Sequence, residues 1–172
     1  MNKIENETGI FTIDDNGVLK NYQSTEVNQV KENVWRCLDI PEGVRVIPED
    51  AFRWCHIQQR LTFPKSLRVI GTGHGCTFAN STLPHVELPE TLEELGCFVF
   101  GSSTMGSLRI PRGLGSIYNR QFKEAIIGTL YLPEEFRSNN PYFRFCEKYE
   151  ERHGCIRSML VGNVKIGEII FE

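Results

Sequence analysis

The chain has 172 residues, of which 40% are apolar and 24% are charged, and these values are ordinary for a single globular domain. Its net charge of −3 and its pI of about 5.9 argue against the basic surface that nucleic acids and anionic membranes require. No apolar run approaches the ~18–20 residues that a helix needs to span a membrane.

The first residues, 1–7, contain no apolar stretch of the kind that a secretory signal carries. We therefore expect a cytoplasmic protein, or a secreted or surface protein if a signal was removed. Residues 10–22 predict a β-hairpin that turns at Asp15-Asn16-Gly17, with strands at 10–13 and 18–22. Calcium binding at Asp14 and Asp15 is the alternative, but the spaced oxygen ligands of a calcium loop are missing.

Residues 23–36 resemble a truncated copy of the repeat that follows them, through Val30, Asn33 and Trp35. Together with the hairpin they predict an N-terminal cap over residues 1–36. Such a cap would cover the first coil of a stack, whose open end is otherwise an exposed strand edge.

From residue 37 to residue 137 the sequence repeats itself. Each copy has an alternating apolar pair followed by proline, then further apolar residues at fixed offsets that end at a phenylalanine. The prolines are Pro41, Pro64, Pro89, Pro111 and Pro133, so the steps are 23, 25, 22 and 22 residues. Gly71–Gly75 lies in the longest step and predicts an insertion there. A repeat in the twenties is typical of a solenoid.

Elementary physics favours the same architecture. In the pair Leu38 and Ile40, and in its counterparts, both apolar side chains face one side of a short strand, and proline then ends the strand. A single copy buries too little apolar surface, on the order of 12 kcal/mol, to offset the backbone entropy of about 22 ordered residues. Stacked copies share a core and satisfy each other's strand edges. The pattern therefore predicts about five coils.

The repeat Leu38–Cys55, with Ala51-Phe52 and Cys55 in place, resembles the BspA-like class of leucine-rich repeats, which occurs mainly in bacterial proteins. The resemblance covers roughly residues 30–137. It implies a strand-dominated α/β leucine-rich-repeat solenoid, built from short parallel strands joined by turns or short helical turns. This sequence departs from the pattern where Thr77, Val99 and Gln121 replace the alanine before phenylalanine.

Residues 138–172 predict a C-terminal cap made of a helix and a hairpin. Pro141 stands near the expected helix start, the spacing of Tyr142, Phe143, Cys146 and Tyr149 is helical, and Gly154 is a plausible stop. Residues 159–161 and 164–171 then predict a closing hairpin. The aromatic face of the helix could alternatively dock a partner helix. The whole chain is expected to fold as one domain.

Few residues suggest chemistry. The six cysteines form no paired spacing and are expected to be buried free thiols, which favours a reducing compartment over a disulfide framework. Zinc ligands could be imagined among His74, Cys76, Cys146, His153 and Cys155, but a second close ligand pair is lacking. Gly71–Gly75 lacks the lysine and hydroxyl of a phosphate loop. No catalytic residue, metal or cofactor is predicted.

What remains is a surface. If the apolar pairs point inward, their alternating neighbours point outward in one ladder. From this ladder we predict a stripe that contacts a partner, made of Asp39, Arg60, Thr62, His85, Glu87, Arg109 and Tyr131. Simple solvation of these side chains is the alternative, because five strands supply only part of a standard protein interface.

The sequence therefore predicts a non-enzymatic protein-binding module whose partner it does not name. Relatives implied by the resemblance are often surface proteins that mediate adhesion or host contact, which makes that role an alternative. A self-associating structural module is another alternative, and an enzyme or metal protein is the least favoured.

Overall fold

The structure, a computed structural model, describes residues 1–25, 33–72, 75–114, 119–136 and 163–172. Its main element is a six-stranded parallel sheet whose strands come from successive coils. These strands are β4 (Val34–Asp39), β6 (His56–Thr62), β8 (Thr82–Glu87), β10 (Thr104–Arg109), β11 (Ile126–Leu132) and β12 (Lys165–Phe171). A strand-dominated parallel solenoid of about four turns is thus confirmed, and short 3-10 turns at Asn119–Phe122 and Glu134–Phe136 are the helical elements among the described residues.

A second parallel sheet closes the first three coils. Its strands have two residues each: β5 (Val46–Ile47), β7 (Val69–Ile70) and β9 (Glu94–Leu95). Between the two sheets the chain turns at the repeat proline, whose carbonyl accepts a hydrogen bond from the backbone N–H three residues later, as from Val44 to Pro41. The apolar pairs that precede the prolines point into the core, as predicted: Leu38 and Leu108 are fully buried.

A column of phenylalanine rings fills the core. Phe52, Phe78, Phe100 and Phe122 come from four consecutive coils, and their neighbouring ring centroids lie 5.3, 5.8 and 5.7 Å apart. The rings are nearly parallel, with interplanar angles of 12–14°, and each is at most 1% exposed. This offset stacking follows from the repeat itself, because equivalent residues of stacked coils adopt the same rotamer one strand spacing apart.

The residue two positions after each phenylalanine has a left-handed backbone. Asn80, Ser102 and Glu124 have φ values of 57°, 53° and 62°, and Trp54 has a φ of 65°. This conformation turns the chain from the phenylalanine column into the next strand of the six-stranded sheet. Asparagine tolerates it better than a bulky side chain does.

The predicted N-terminal hairpin is confirmed. Strands β2 (Gly9–Ile13) and β3 (Leu19–Ser24) pair antiparallel, and β1 (Asn2–Glu5), which the sequence did not indicate, extends the hairpin to three strands. The hairpin meets the first coil where Val18 forms a parallel bridge with Val46. Of the predicted truncated repeat, Trp35 lies in β4 beside Ile57, while Val30 lies outside the described residues.

Aromatic residues of the N-terminal region contact the end of the phenylalanine column. Tyr22 and Trp35 lie against Phe52 with ring centroids 5.6 and 6.1 Å away. Both contacts are edge-on, with interplanar angles of 64° and 88°, so the parallel stacking ends at Phe52. The amide of Asn6 also donates a hydrogen bond of 2.7 Å to the backbone carbonyl of Asp39, which ties the hairpin to β4.

The C-terminal strand has a pairing that the sequence did not indicate. Residues 164–171 were expected to form one arm of a closing hairpin, and Lys165–Phe171 is a strand that pairs in parallel with β11, in register from Ile126↔Lys165 to Leu132↔Phe171. This segment is therefore a sixth strand of the repeat sheet. The predicted helix from residue 138 and the predicted arm at 159–161 lie outside the described residues.

The two polar residues that replace alanine before phenylalanine are explained by hydrogen bonds between coils. The hydroxyl of Thr77 donates to the carbonyl of Pro48 at 3.1 Å, and the amide of Gln121 donates to the carbonyl of Leu95 at 2.5 Å. Because a buried polar group is tolerated when it is hydrogen-bonded, these positions accept polar side chains in a fully buried site.

The glycine-rich insertion is supported where the structure describes it. Gly71 and Gly75 have φ values of +78° and +79°, a conformation that glycine adopts at little cost. A Cβ at Gly75 would lie 1.5 Å from the carbonyl oxygen of Cys97 in the next coil. The glycines thus let the inserted residues leave the coil without separating it from its neighbour. Gly73 and His74 lie outside the described residues.

Candidate interaction surface

The outward side chains of the six-stranded sheet, called here the strand face, form columns in which equivalent residues of neighbouring strands lie side by side. Arg109 is in register with Glu87 on one side and with Tyr131 on the other. On the first two strands, Cys37 is in register with Arg60, and Asp39 with Thr62. All seven residues of the predicted stripe are therefore outward on this sheet, and their role in binding a partner stays a prediction.

The stripe is not continuous, however. The register between β4 and β6 shifts after Trp35, and β6 pairs with β8 in register only at His56↔Thr82. The cause is a bulge: β6 has one residue more than β8 between the same inward positions, at Gln58-Gln59. The stripe therefore divides into a group on β4 and β6 and a group on the four strands that follow. The step of 23 residues between Pro41 and Pro64 contains this extra residue.

In the first group Asp39 accepts three hydrogen bonds. Arg60 donates from Nε at 2.8 Å and from Nη2 at 2.5 Å, and the hydroxyl of Thr62 donates at 2.7 Å. The guanidinium of Arg60 holds the pKa of the Asp39 carboxyl below its usual range, against the opposing effect of partial burial. The carboxylate in turn raises the pKa of Arg60. This cluster is a bidentate ion pair fixed across two strands.

We predict that Asp39→Asn makes the stability of the protein less dependent on acid pH. The folded-state pKa of Asp39 is lowered, so its ionised form stabilises the fold above the unfolded-state pKa, and this contribution disappears as pH falls through the folded-state value. The loss should begin below about pH 4. Urea midpoints measured from neutral pH downward should converge for wild type and variant, and a difference that stays constant down to low pH would contradict the pairing.

The second group is held by lateral contacts between strands. His85 Nδ1 lies 2.9 Å from the hydroxyl of Ser107 on the next strand. Arg109 extends over the ring of Tyr131, with its guanidinium carbon 4.6 Å from the ring centroid, and forms a salt bridge with Glu172 beyond it. Its contact with Glu87 is longer, at 3.8 Å. Arg109, on β10, therefore connects β8, β11 and the end of β12 across the strand face.

The sequence analysis missed the contribution of β12 to the strand face. Glu168 is in register with Thr129, and Ile170 with Tyr131, so both extend the outward columns by one strand. A signal for this strand was present, since Ile127-Gly128-Thr129-Leu130-Tyr131-Leu132 and Ile166-Gly167-Glu168-Ile169-Ile170-Phe171 have the same pattern. The glycine has a physical reason in both copies: a Cβ at Gly128 or Gly167 would lie 2.3 or 2.6 Å from a carbonyl oxygen of the preceding strand.

The calcium site considered at Asp14 has a structural explanation. The Asp14 carboxylate accepts the backbone N–H groups of Asn16 and Val18 at 2.9 and 3.0 Å, which stabilises the hairpin turn and lowers the pKa of Asp14. Within the described ranges no group of three or more histidine, cysteine, aspartate or glutamate side chains could hold a metal ion. Of the imagined zinc ligands only Cys76 is described; His74, Cys146, His153 and Cys155 lie outside the described residues.

The cysteines in the described part of the chain are free thiols. Cys55 fills the small core position that the repeat predicts, and burial raises the pKa of its thiol to about 11. A hydrogen bond with the Ser81 hydroxyl, at 3.5 Å between sulfur and oxygen, opposes this effect only in part. Cys37, Cys76 and Cys97 are half-buried.

None of the helices among the described residues is long and apolar enough to cross a membrane.

Comparison with known proteins identifies the repeat. The model of the BspA type leucine rich repeat region matches residues 30–150 with six copies. Neither the comparison with curated proteins nor the comparison with solved structures finds a match. The matched range covers well over half of the chain and contains every strand of the parallel sheets except β12. The chain therefore belongs to the BspA-type leucine-rich repeat family.

Proposed function

We propose that this chain is a non-enzymatic module that binds another protein through its strand face. The observation that carries the proposal is the lateral bonding of the face, in which Arg60 and Arg109 are held in place by carboxylates and a ring of the chain itself. A surface whose side chains are already ordered loses less conformational entropy when it binds a partner. Leucine-rich repeat proteins are typically non-enzymatic, and we propose no catalytic or cofactor role here.

The dimensions of the strand face limit the kind of complex. Six strands at about 4.8 Å spacing and six residues at about 3.3 Å rise give a face of roughly 24 by 20 Å. This area, roughly 500 Å², is smaller than the ~800 Å² that each partner contributes to a standard interface. We therefore expect either a modest, transient interaction or a partner that also contacts the rims of the coils.

Reversing charges in the stripe should abolish partner binding. In the double variant Glu87→Lys and Arg109→Glu, we expect capture of partner proteins from a lysate of the source organism to fall at least about tenfold, because the charges that complement the partner are inverted. The measurement is quantitative mass spectrometry of cross-linked captures. A matched control reverses Asp50 and Arg53, an ion pair of 3.4 Å that lies away from the strand face. Equal capture by the wild type and both variants would contradict the proposal.

We further propose the finer organisation of the chain: a cap over residues 1–36, about five coils over 37–137, and a helix-containing cap over 138–172. The helical spacing of Tyr142, Phe143, Cys146 and Tyr149 supports the helix. We also propose a cytoplasmic location. The buried free thiol of Cys55 supports it, since a reducing compartment keeps such thiols unpaired.

A further inference from the structure

The two arginines of the predicted stripe are neutralised by the chain itself. Arg60 is bound bidentately by Asp39. Arg109 is bound by Glu172 and covers the ring of Tyr131. A carboxylate of a partner would have to displace one of these acidic side chains before it could pair with either arginine. The arginines are therefore poor binding positions for an acidic partner.

Two carboxylates of the same face are held far less firmly. Among the residues that the structure describes, Glu87 forms an ion pair only with Arg109, at 3.8 Å, and its side chain is 78% exposed. Glu168 is exposed on β12 and forms no ion pair with the described residues. The cation of β12 is Lys165, which lies five residues before Ile170, about 16 Å along the strand. The charge available to a partner near the end of β11 and β12 is therefore negative.

An apolar pair lies beside these carboxylates. Tyr131 and Ile170 are in register on neighbouring strands, both are outward, and both are half-buried. Glu168 is two residues before Ile170 on the same face of β12, and Glu87 is in the column of Tyr131 two strands away. Tyrosine is enriched among the residues that dominate binding energy at interfaces, and rim charges choose between partners.

We infer that the outward residues Glu87, Tyr131, Glu168 and Ile170 bind a protein segment in which apolar side chains alternate with lysine or arginine. The apolar side chain packs on Ile170 beside Tyr131, whose ring is covered by Arg109, and the basic side chains pair with Glu87 and Glu168. This inference rests on the proposed function and adds the chemistry of the partner. It also assigns the contact to the second group of the stripe and to β12, rather than to the Asp39–Arg60 cluster.

Three labelled synthetic peptides test this inference. They share alternating leucines and differ in the intervening residues, which are lysine, glutamate or serine. Fluorescence polarisation with the full chain should show the tightest binding for the lysine peptide, weakened by added salt. Glu87→Gln and Glu168→Gln should each lower its affinity by up to about fivefold, the range of exposed ion pairs. Ile170→Ser should lower the affinity for the lysine and serine peptides alike.

The control is Glu49→Gln, which removes an exposed carboxylate from the turn after β5 and changes the net charge equally. We expect it to leave the affinity unchanged, and thermal unfolding of each variant should confirm that the fold is intact. Preference for the glutamate or serine peptide, with binding still lost in Ile170→Ser, would overturn the basic partner but keep the strand face as the binding surface. Failure of all three peptides, or an equal loss in Glu49→Gln, would also overturn the inference. The proposed function is refuted separately, by unchanged lysate capture in the charge-reversed variant.

Discussion

Replacing Phe100 by alanine should lower the free energy of unfolding by about 3–5 kcal/mol. The ring is fully buried and stacks on Phe78 at 5.8 Å and on Phe122 at 5.7 Å. Alanine would leave a cavity in the middle of the column and remove two aromatic contacts at once. Because each coil is stabilised chiefly by its neighbours, the loss should affect the whole stack. Urea unfolding followed by circular dichroism measures it.

Trp54→Gly is the matched control for Phe100→Ala, since it also removes a large ring. The indole is 56% exposed, and its backbone φ of 65° favours glycine. We expect a change within about 0.5 kcal/mol, typical of surface sites. Phe100→Leu should have an intermediate effect, because leucine retains most of the buried volume. If Phe100→Ala were as mild as Trp54→Gly, the ring column would not be the core of the fold.

Replacing Gly75 by alanine should destabilise the protein by about 2–5 kcal/mol, from backbone strain and overpacking together. The φ of +79° disfavours a side chain, and the new Cβ would lie 1.5 Å from the carbonyl oxygen of Cys97. That oxygen is backbone, so relief requires the two coils to separate. Thermal and urea unfolding of the purified variant would measure the loss.

Gly43→Ala separates the two causes. Gly43 also has a positive φ, +97°, but the nearest atoms to its Cβ are side-chain carbons of Ile4 at 3.3 Å and Ile13 at 3.7 Å. The variant Gly43→Ala should therefore lower the free energy of unfolding only by the cost of the backbone conformation, about 1–2 kcal/mol. Similar losses for Gly43→Ala and Gly75→Ala would mean that the close approach of Gly75 to Cys97 is not tight.

Much of the fold follows from the sequence because stacking forces equivalent residues into equivalent places. The apolar pairs, the prolines and the phenylalanines each form one column, and all three columns are periodic in the chain. The hairpin was predictable from Asp15-Asn16-Gly17 and its alternating flanks. The outward position of Asp39, Arg109 and the other stripe residues followed from simple alternation along each strand.

Three features escaped this reasoning for separate physical reasons. The place of β12 in the repeat sheet was missed because the strand begins about thirty residues after Pro133, whereas the earlier strands begin about fifteen residues after their prolines. Strand β1 has no alternation, and of its residues only Ile4 packs on the core. The break in the stripe at β6 depends on one extra residue. This residue was not recognised because the next repeat contains a larger insertion, the glycine-rich one.

The lateral pairings were not predictable either, since they depend on side-chain rotamers. Alternation placed Asp39 and Arg60 on one face of the sheet. It did not indicate that the side chain of Arg60 would reach Asp39 diagonally between the two strands. Nor did it indicate that Arg109 would extend across Tyr131 to Glu172. Such contacts decide which charges are available to a partner. The location of the surface could therefore be predicted from the sequence, but the charges it presents could be read only from the structure.

The edge-on packing of Tyr22 and Trp35 on Phe52 has a consequence for polymerisation. A stack of identical coils offers each end as a template on which a further molecule could add, which would propagate into a fibre. At the N-terminal end a new chain would meet tilted rings and an antiparallel hairpin in place of a parallel coil with a matching phenylalanine. The N-terminal hairpin and the tilted rings therefore block the addition of a further molecule at this end by their shape, and repulsive charge is not needed.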